Sequence, residues 1–248
     1  IPWLDTYTRT SVDIRDAVSY AVDPQDPTHF FVATYGTGVL EYRDNKAVAH
    51  YGPHNSSLRE TKTGDDPAYF TRTHGALWDN QNNFWVLNAT KIGAPVHVRT
   101  PSGSWHPLPL RSNGQELSFI TPGEILADQR NSQYKWLYEQ REAPGVILLY
   151  DGGTPTYSGD DRCLKRTTFT DQNGNSITPS AITCLTQDLD DRIWIGTLEG
   201  IFIIPSTTDF FTSNACHRII IPRNDGTGLG DYLLGNERIN CMAVDGGN

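Results

Sequence analysis

Ile182-Thr183-Cys184-Leu185-Thr186-Gln187-Asp188-Leu189-Asp190-Asp191-Arg192-Ile193-Trp194-Ile195-Gly196-Thr197-Leu198-Glu199-Gly200-Ile201-Phe202 carries the plan of the whole chain. A short apolar stretch ends in Asp188, a polar turn follows, and Trp194 leads a strand that turns at Glu199-Gly200 into a further apolar strand. Asp followed by Asp, Asn or Gly suits a tight hairpin, because these residues accept left-handed backbone angles and cap the turn with their side chains. A large ring placed just after such a turn covers the seam against a neighbouring sheet.

The plan recurs. Tyr20-Ala21-Val22-Asp23, Ala76-Leu77-Trp78-Asp79, Ile125-Leu126-Ala127-Asp128, Leu185-Thr186-Gln187-Asp188 and Met242-Ala243-Val244-Asp245 close five equivalent stretches, their aspartates 56, 49, 60 and 57 residues apart. Phe31, Trp85, Trp136 and Trp194 follow the first four aspartates by eight, six, eight and six residues, and the fifth copy ends before its aromatic. Third strands are expected at Val39–Tyr42, Val96–Val98, Val146–Tyr150 and Ile201–Ile204, and fourth strands at Ala47–Tyr51, Ser104–His106, Leu164–Phe169 and His217–Ile221. Four antiparallel strands in each unit of roughly 40–50 residues is the arithmetic of a β-propeller. The reading is therefore an all-β, partial β-propeller over residues 1–248. Its blades are placed at 13–58, 74–110, 121–175 and 177–223, with 239–248 opening the next blade of a larger, seven-bladed ring. The surplus length is assigned to loops such as Arg59–Thr73 and Asn224–Glu237. A solenoid or a sandwich would not require one aromatic-led hairpin per period.

Composition agrees and narrows the function. One Met, 22 Gly and 15 Pro describe many short strands joined by turns. Twenty Lys+Arg against 29 Asp+Glu leave a net charge of −9, so no excess of cations exists to release counterions from nucleic acid. No run approaches about eighteen apolar residues, the length of a membrane helix. The chain starts Ile1-Pro2-Trp3 with neither Met nor signal peptide, and is read as a piece of something longer.

The Ile182–Phe202 stretch resembles the two-component regulator propeller repeat, whose signature runs apolar–Asp–turn–Trp-Ile-Gly-Thr–Gly–apolar, and Phe31-Val32-Ala33-Thr34-Tyr35-Gly36-Thr37-Gly38 is a variant of it. Trp85-Val86-Leu87-Asn88 and Trp136-Leu137-Tyr138-Glu139 are divergent copies. Asn55–Leu58, Gly159–Arg162, Cys216–Leu234 and Ile239–Asn248 together resemble the PorZ-like propeller proteins of the type IX secretion system. That resemblance implies a further Trp-Ile-Gly-Thr strand after Asn248, export, and exposure at the cell surface or in the periplasm. It also implies a non-catalytic role beside a sortase-like surface protease, with binding of anionic lipopolysaccharide. The same repeats form oligosaccharide-sensing domains of hybrid two-component regulators, which stands as the alternative. A propeller glycan hydrolase or lyase is a third reading.

The search for chemistry yields turns rather than sites, and no cofactor is expected. An EF-hand counted from Asp171 places Ile182 at its twelfth position, and one counted from Asp188 places Ile193 where Gly is needed, so neither acidic stretch is read as a metal site. Asp65-Asp66 and Asp160-Asp161 are adjacent, whereas glycosidase carboxylates must face one another across a bond. Gly52-Pro53 denies His50 and His54 the helix a zinc pair at that spacing uses. No Gly-x-Ser-x-Gly elbow occurs, and Gly226-Thr227-Gly228-Leu229-Gly230 lacks the Lys-Ser/Thr of a phosphate loop. Cys184 with Cys241, and Cys163 with Cys216, are equivalent by repeat and point the same way, so free thiols are expected.

Binding is expected on the rim formed by the turn after each aromatic-led strand: Tyr35, Asn88, Lys91, Arg141, Glu142 and Glu199. Tyr35 would stack, and Lys91 and Arg141 would pair with an anionic glycan. Four blades and an orphan strand leave sheet edges open, so self-association is a further expectation.

Overall fold

The computed structural model describes residues 16–245. Asp13, where the first blade was placed, and the end of the last segment at 246–248 lie outside the described residues. The first blade is the antiparallel meander β1 (Ala17–Asp23), β2 (Asp26–Gly36), β3 (Gly38–Arg43) and β4 (Lys46–Tyr51). A single helical turn, α1 (Pro67–Phe70), precedes the second: β5 (Thr71–Trp78), β6 (Phe84–Asn88), β7 (Val96–Arg99) and β8 (Trp105–Leu108). A small hairpin, β9 (Arg111–Ser112) and β10 (Gln115–Glu116), leads to the third: β11 (Pro122–Ala127), β12 (Tyr134–Glu139), β13 (Gly145–Tyr150) and β14 (Arg162–Arg166). After the hairpin β15 (Phe169–Thr170) and β16 (Ser176–Ile177) come β17 (Ile182–Gln187), β18 (Ile193–Thr197) and β19 (Gly200–Ile204), and a last hairpin pairs β20 (Ile220–Pro222) with β21 (Gly230–Tyr232).

The opening strands stand side by side in chain order: β5 packs against both β1 and β11, and β11 against β17. Successive sheets therefore stack through their faces around an axis lined by these strands, as in a propeller. Three apolar seams result. Phe31, Ala33 and Val39 meet Phe84 and Val86; Trp85, Leu87 and Val98 meet Leu137 and Ile147; Trp136, Tyr138 and Leu148 meet Ile193, Ile195 and Phe202. Because side chains alternate along a strand, Trp85 faces the following blade while Phe84 faces the preceding one. Phe31, Trp85 and Trp136 thus each seal the seam ahead of them. In the first seam the Phe31 and Phe84 rings stack with centroids 4.2 Å apart. Burying such a ring contributes roughly 1.5–3 kcal/mol.

The repeat aspartate does more than cap. In the two hairpins with six-residue spacing, its second oxygen also accepts the indole N–H of the repeat tryptophan, Trp85 on Asp79 at 2.8 Å and Trp194 on Asp188 at 2.7 Å. The first oxygen accepts backbone N–H groups of the turn, Gln81 and Asn83 on Asp79, Asp190 and Arg192 on Asp188. In the first blade Phe31 has no indole, and Asp23 faces His29 Nδ1 at 2.9 Å, whose Nε2 faces Glu41 at 2.9 Å. In the third, Asp128 turns to Gln187 and Thr207 of the next blade, and the Trp136 indole N–H stays buried without an acceptor among the described residues.

Two expectations need correction. His217–Ile221 is not a fourth strand on β19: His217 makes one antiparallel bridge to Ile203, and the chain then leaves to form β20. Phe169 does not end the third blade's outer strand but begins β15, where it packs into the third seam. Residues 239–245 carry no strand pairing, yet Ile239 N–H donates to Thr197 O at 3.0 Å. Ile182 N–H donates to Gln140 O in the same manner one blade earlier, so the tail begins where a next opening strand would stand. Among the described residues no helix is long and apolar enough to cross a membrane.

Candidate functional site

In an antiparallel meander the ends of β2, β6, β12 and β18 emerge on one side of the sheets, together with the segments that lead into β5, β11 and β17. That side carries all the rim residues expected from sequence. The residue three places after each repeat aromatic is buried and polar: Thr34, Asn88, Glu139 and Thr197. Each holds the rim in shape. Thr34 and Thr197 close their own turns, donating to Gly38 O and Gly200 O at 2.8 Å while accepting the N–H of Thr37 and Glu199 at 3.0 Å. Glu139 accepts the N–H and hydroxyl of Thr121. Asn88 accepts from Arg59 N–H and donates to the carbonyls of Arg59 and Arg72. Asn88 is therefore a pin for the loop over 59–70, not a ligand contact, since it has no exposed surface.

The remaining rim residues fall into two groups. Lys91, Arg141 and Glu142 are exposed, with their backbone N–H groups held by Thr61 O and the Thr121 hydroxyl and their side chains free of hydrogen bonds among the described residues. Glu199 is exposed but engaged, its carboxylate accepting from the hydroxyl of Ser180. Tyr35 is half-buried: its hydroxyl donates to Ile120 O at 3.3 Å, and its ring faces the guanidinium of Arg72 at 5.0 Å. The expected stacking surface is thus occupied by an arginine.

Arg72 was not singled out by sequence. It is the second residue of β5, its guanidinium also lies 5.3 Å from the Phe70 ring centroid, its Nε is buried without a partner, and it makes no ion pair among the described residues. Among the described residues Arg59, Lys91 and Arg141 on the same side likewise make none, although Lys62 of the same loop lies 4.0 Å from Asp65; on the opposite side Arg43, Arg130, Lys135 and Arg192 are paired with carboxylates, and Lys46 and Arg162 are not. The hint in the sequence is Thr71-Arg72-Thr73-His74, where polar residues interrupt a strand position that is otherwise apolar.

Deeper along the axis, every opening strand is bulged at the same level, between Ala17 and Ser19, His74 and Ala76, Pro122 and Ile125, and Ile182 and Cys184. The bulges bring side chains of three blades together: Ser19 Oγ donates to Glu124 Oε2 at 3.1 Å, and His74 Nδ1 lies 3.5 Å from Glu124 Oε1. Both converge on the carboxylate. The serine is not hydrogen-bonded to the imidazole, so this is not a nucleophile–base–orienter chain.

The four cysteines are unpaired, and burial pushes the thiols of Cys163 and Cys216 up to about 12. Two of the acidic stretches cap turns: Asp171 accepts from Asn173 N–H, Asn175 N–H and the Tyr232 hydroxyl, and Asp66 caps α1 through Ala68 N–H. Gly226–Gly230 is the loop of the β20–β21 hairpin.

Among solved structures, the chain superposes on PorZ, an essential bacterial surface component of the type-IX secretion system of Porphyromonas gingivalis, with a TM-score of 0.77. The identity is 24%, over 93% of this chain and 30% of that one. An extracellular domain of a one component system from B. thetaiotaomicron gives a TM-score of 0.51 and 16% identity, over 89% of this chain and 24% of that one. The fold is shared with these propeller proteins, and the chain spans less than a third of either. No protein-family model matches the sequence, and no curated protein is similar to it.

Proposed function

We propose that the chain is a non-catalytic binding module of an exported propeller protein, and that the rim side receives an anionic glycan, as an accessory of surface secretion would. The observation that carries this reading is a set of four cations on the rim side that no carboxylate neutralises among the described residues. In a chain of net charge −9, Arg59, Arg72, Lys91 and Arg141 remain without carboxylate partners among the described residues, all on one side. Guanidinium and ammonium groups left unpaired are free to donate to phosphate or carboxylate. The clamp of Tyr35 and Phe70 holds the Arg72 guanidinium in place, which lowers the ordering cost of such a contact. The convergence of Ser19 and His74 on Glu124 gives no activated nucleophile, in keeping with binding rather than turnover.

Titration with purified lipopolysaccharide, with neutral dextran as control, tests the reading. Lys91→Ala with Arg141→Ala alters two exposed side chains and is expected to weaken binding at least tenfold, about 1.4 kcal/mol. Raising salt is expected to weaken it further, since exposed charges are screened. Unchanged binding by the double variant, or equal binding of dextran, refutes the assignment.

A further inference from the structure

The loop joining β13 to β14, residues 151–161, lies on the side opposite the cationic rim and plays no part in it. It is wound tightly. Asp151 N–H donates to Gln133 O at 3.0 Å, Gly153 N–H to the Asp151 carboxylate at 2.9 Å, and Thr154 N–H to Asp151 O at 3.0 Å. Gly152 and Gly153 take positive φ, and a Cβ at Gly153 would stand 2.6 Å from the Gln133 amide, so the loop is pressed against the β11–β12 hairpin. The Thr154 hydroxyl reaches across to Asp160, 2.8 Å from each carboxylate oxygen, and closes the loop on itself.

Beneath it, Lys135 stands where the other repeats carry Phe30, Phe84 and Ile193. It pairs with Asp151, both side chains being 3% exposed or less, and its Nζ lies 4.3 Å from the Trp85 ring centroid. Asp161 is the misfit. Both its carboxylate oxygens are shut off from solvent, and neither has a hydrogen-bond donor among the described residues. The groups acting on it are the carboxylates of Asp160 and Asp151 and the ammonium of Lys135, and it acts in turn on the Cys163 thiol of β14. Three carboxylates around one ammonium, already paired, leave an ionised Asp161 unsupported, whereas the protonated acid is tolerated.

We propose that residues 151–161 are a pH-sensitive strap, closed while Asp161 holds its proton and loosened when it ionises. Asp151 and Gly153 form one wall of a polar cleft of about 370 Å³, faced by the amides of Asn80, Gln81 and Gln133, and loosening moves that wall. Burial first, then Asp160 and Asp151, push the Asp161 carboxyl up to about 7, with Lys135 opposing, so the change falls near neutrality.

Amide hydrogen exchange, expressed as protection factors at each pH from 5.5 to 8.5, tests the strap. For residues 151–162 of the unsubstituted chain, protection is expected to fall at least about tenfold across the range while the β12–β13 peptides hold steady. Asp161→Asn, an isosteric change that cannot ionise, is expected to keep protection within about twofold over the same range. Asp160→Asn removes a neighbouring like charge and is expected to move the midpoint to lower pH, because the Asp160 carboxylate is one of the groups that hold the Asp161 proton on. Constant protection in the unsubstituted chain, or the same fall in Asp161→Asn, overturns the proposal.

Discussion

Asp79 shows how much one residue of the repeat carries. Its carboxylate accepts from two backbone N–H groups of the turn, from the Asn83 amide and from the Trp85 indole, all at 2.9 Å or less. Removing it leaves buried donors without acceptors, which costs more than the bonds contribute. Asp79→Ala is expected to destabilise the chain by about 2–3 kcal/mol in urea unfolding, and a loss below about 0.5 kcal/mol would mean that water replaces the carboxylate. The aspartate and its aromatic were legible because they recur in all four units, six or eight residues apart. Arg72 was not, since it occurs in a single blade, and neither was the inversion of Asn88 from rim contact to buried pin. A turn position reads as exposed in one dimension, and only the 59–70 segment folding over it buries it.

Elements were legible where the hydrophobic pattern was long and repeated. The opening, second and third strands of all four units stand within a few residues of their expected places. The helical turn α1 and strand β21 fall in stretches expected as loop, β9–β10 falls between the expected blades, and the first residues of β15 and β20 fall at the ends of expected fourth strands, because two or three residues carry no period and owe their pairing to what they pack on. His97 illustrates an element-scale commitment. Within β7 it is fully buried, accepting from the Ser57 hydroxyl at 2.7 Å and donating to Ala94 O at 3.0 Å, and burial holds its pKa down to about 3. The neutral ring therefore ties the 52–58 loop to the second blade. A histidine whose folded pKa lies below the unfolded one contributes stability above the unfolded value, near 6.5, that is lost as pH falls towards the folded one. Unfolding free energy is expected to drop between pH 6.5 and 4 by on the order of 2–3 kcal/mol more than in His97→Gln, measured by denaturant titration at both ends.

At the scale of the molecule, stacked sheets leave two flanks. Tyr20 and Val22 are exposed on β1, and beyond the fourth blade Trp194, Ile201, Met242 and Val244 line a groove of about 760 Å³. Apolar flanks of this kind favour association. Sedimentation of the 248-residue chain at rising concentration is expected to show a mass above the monomer's, and a single monomeric species throughout would argue against it. The order of strands and the stacking of aromatic-led sheets follow from the chain alone, because alternation, turn chemistry and a repeat of fixed plan act through near neighbours and leave few ways to bury the rings. Which charges are paired, where the opening strands bulge, and which carboxylate is stranded without a donor depend on residues brought together from different blades. No local pattern encodes such meetings, since each is settled by distances across a seam rather than along the backbone.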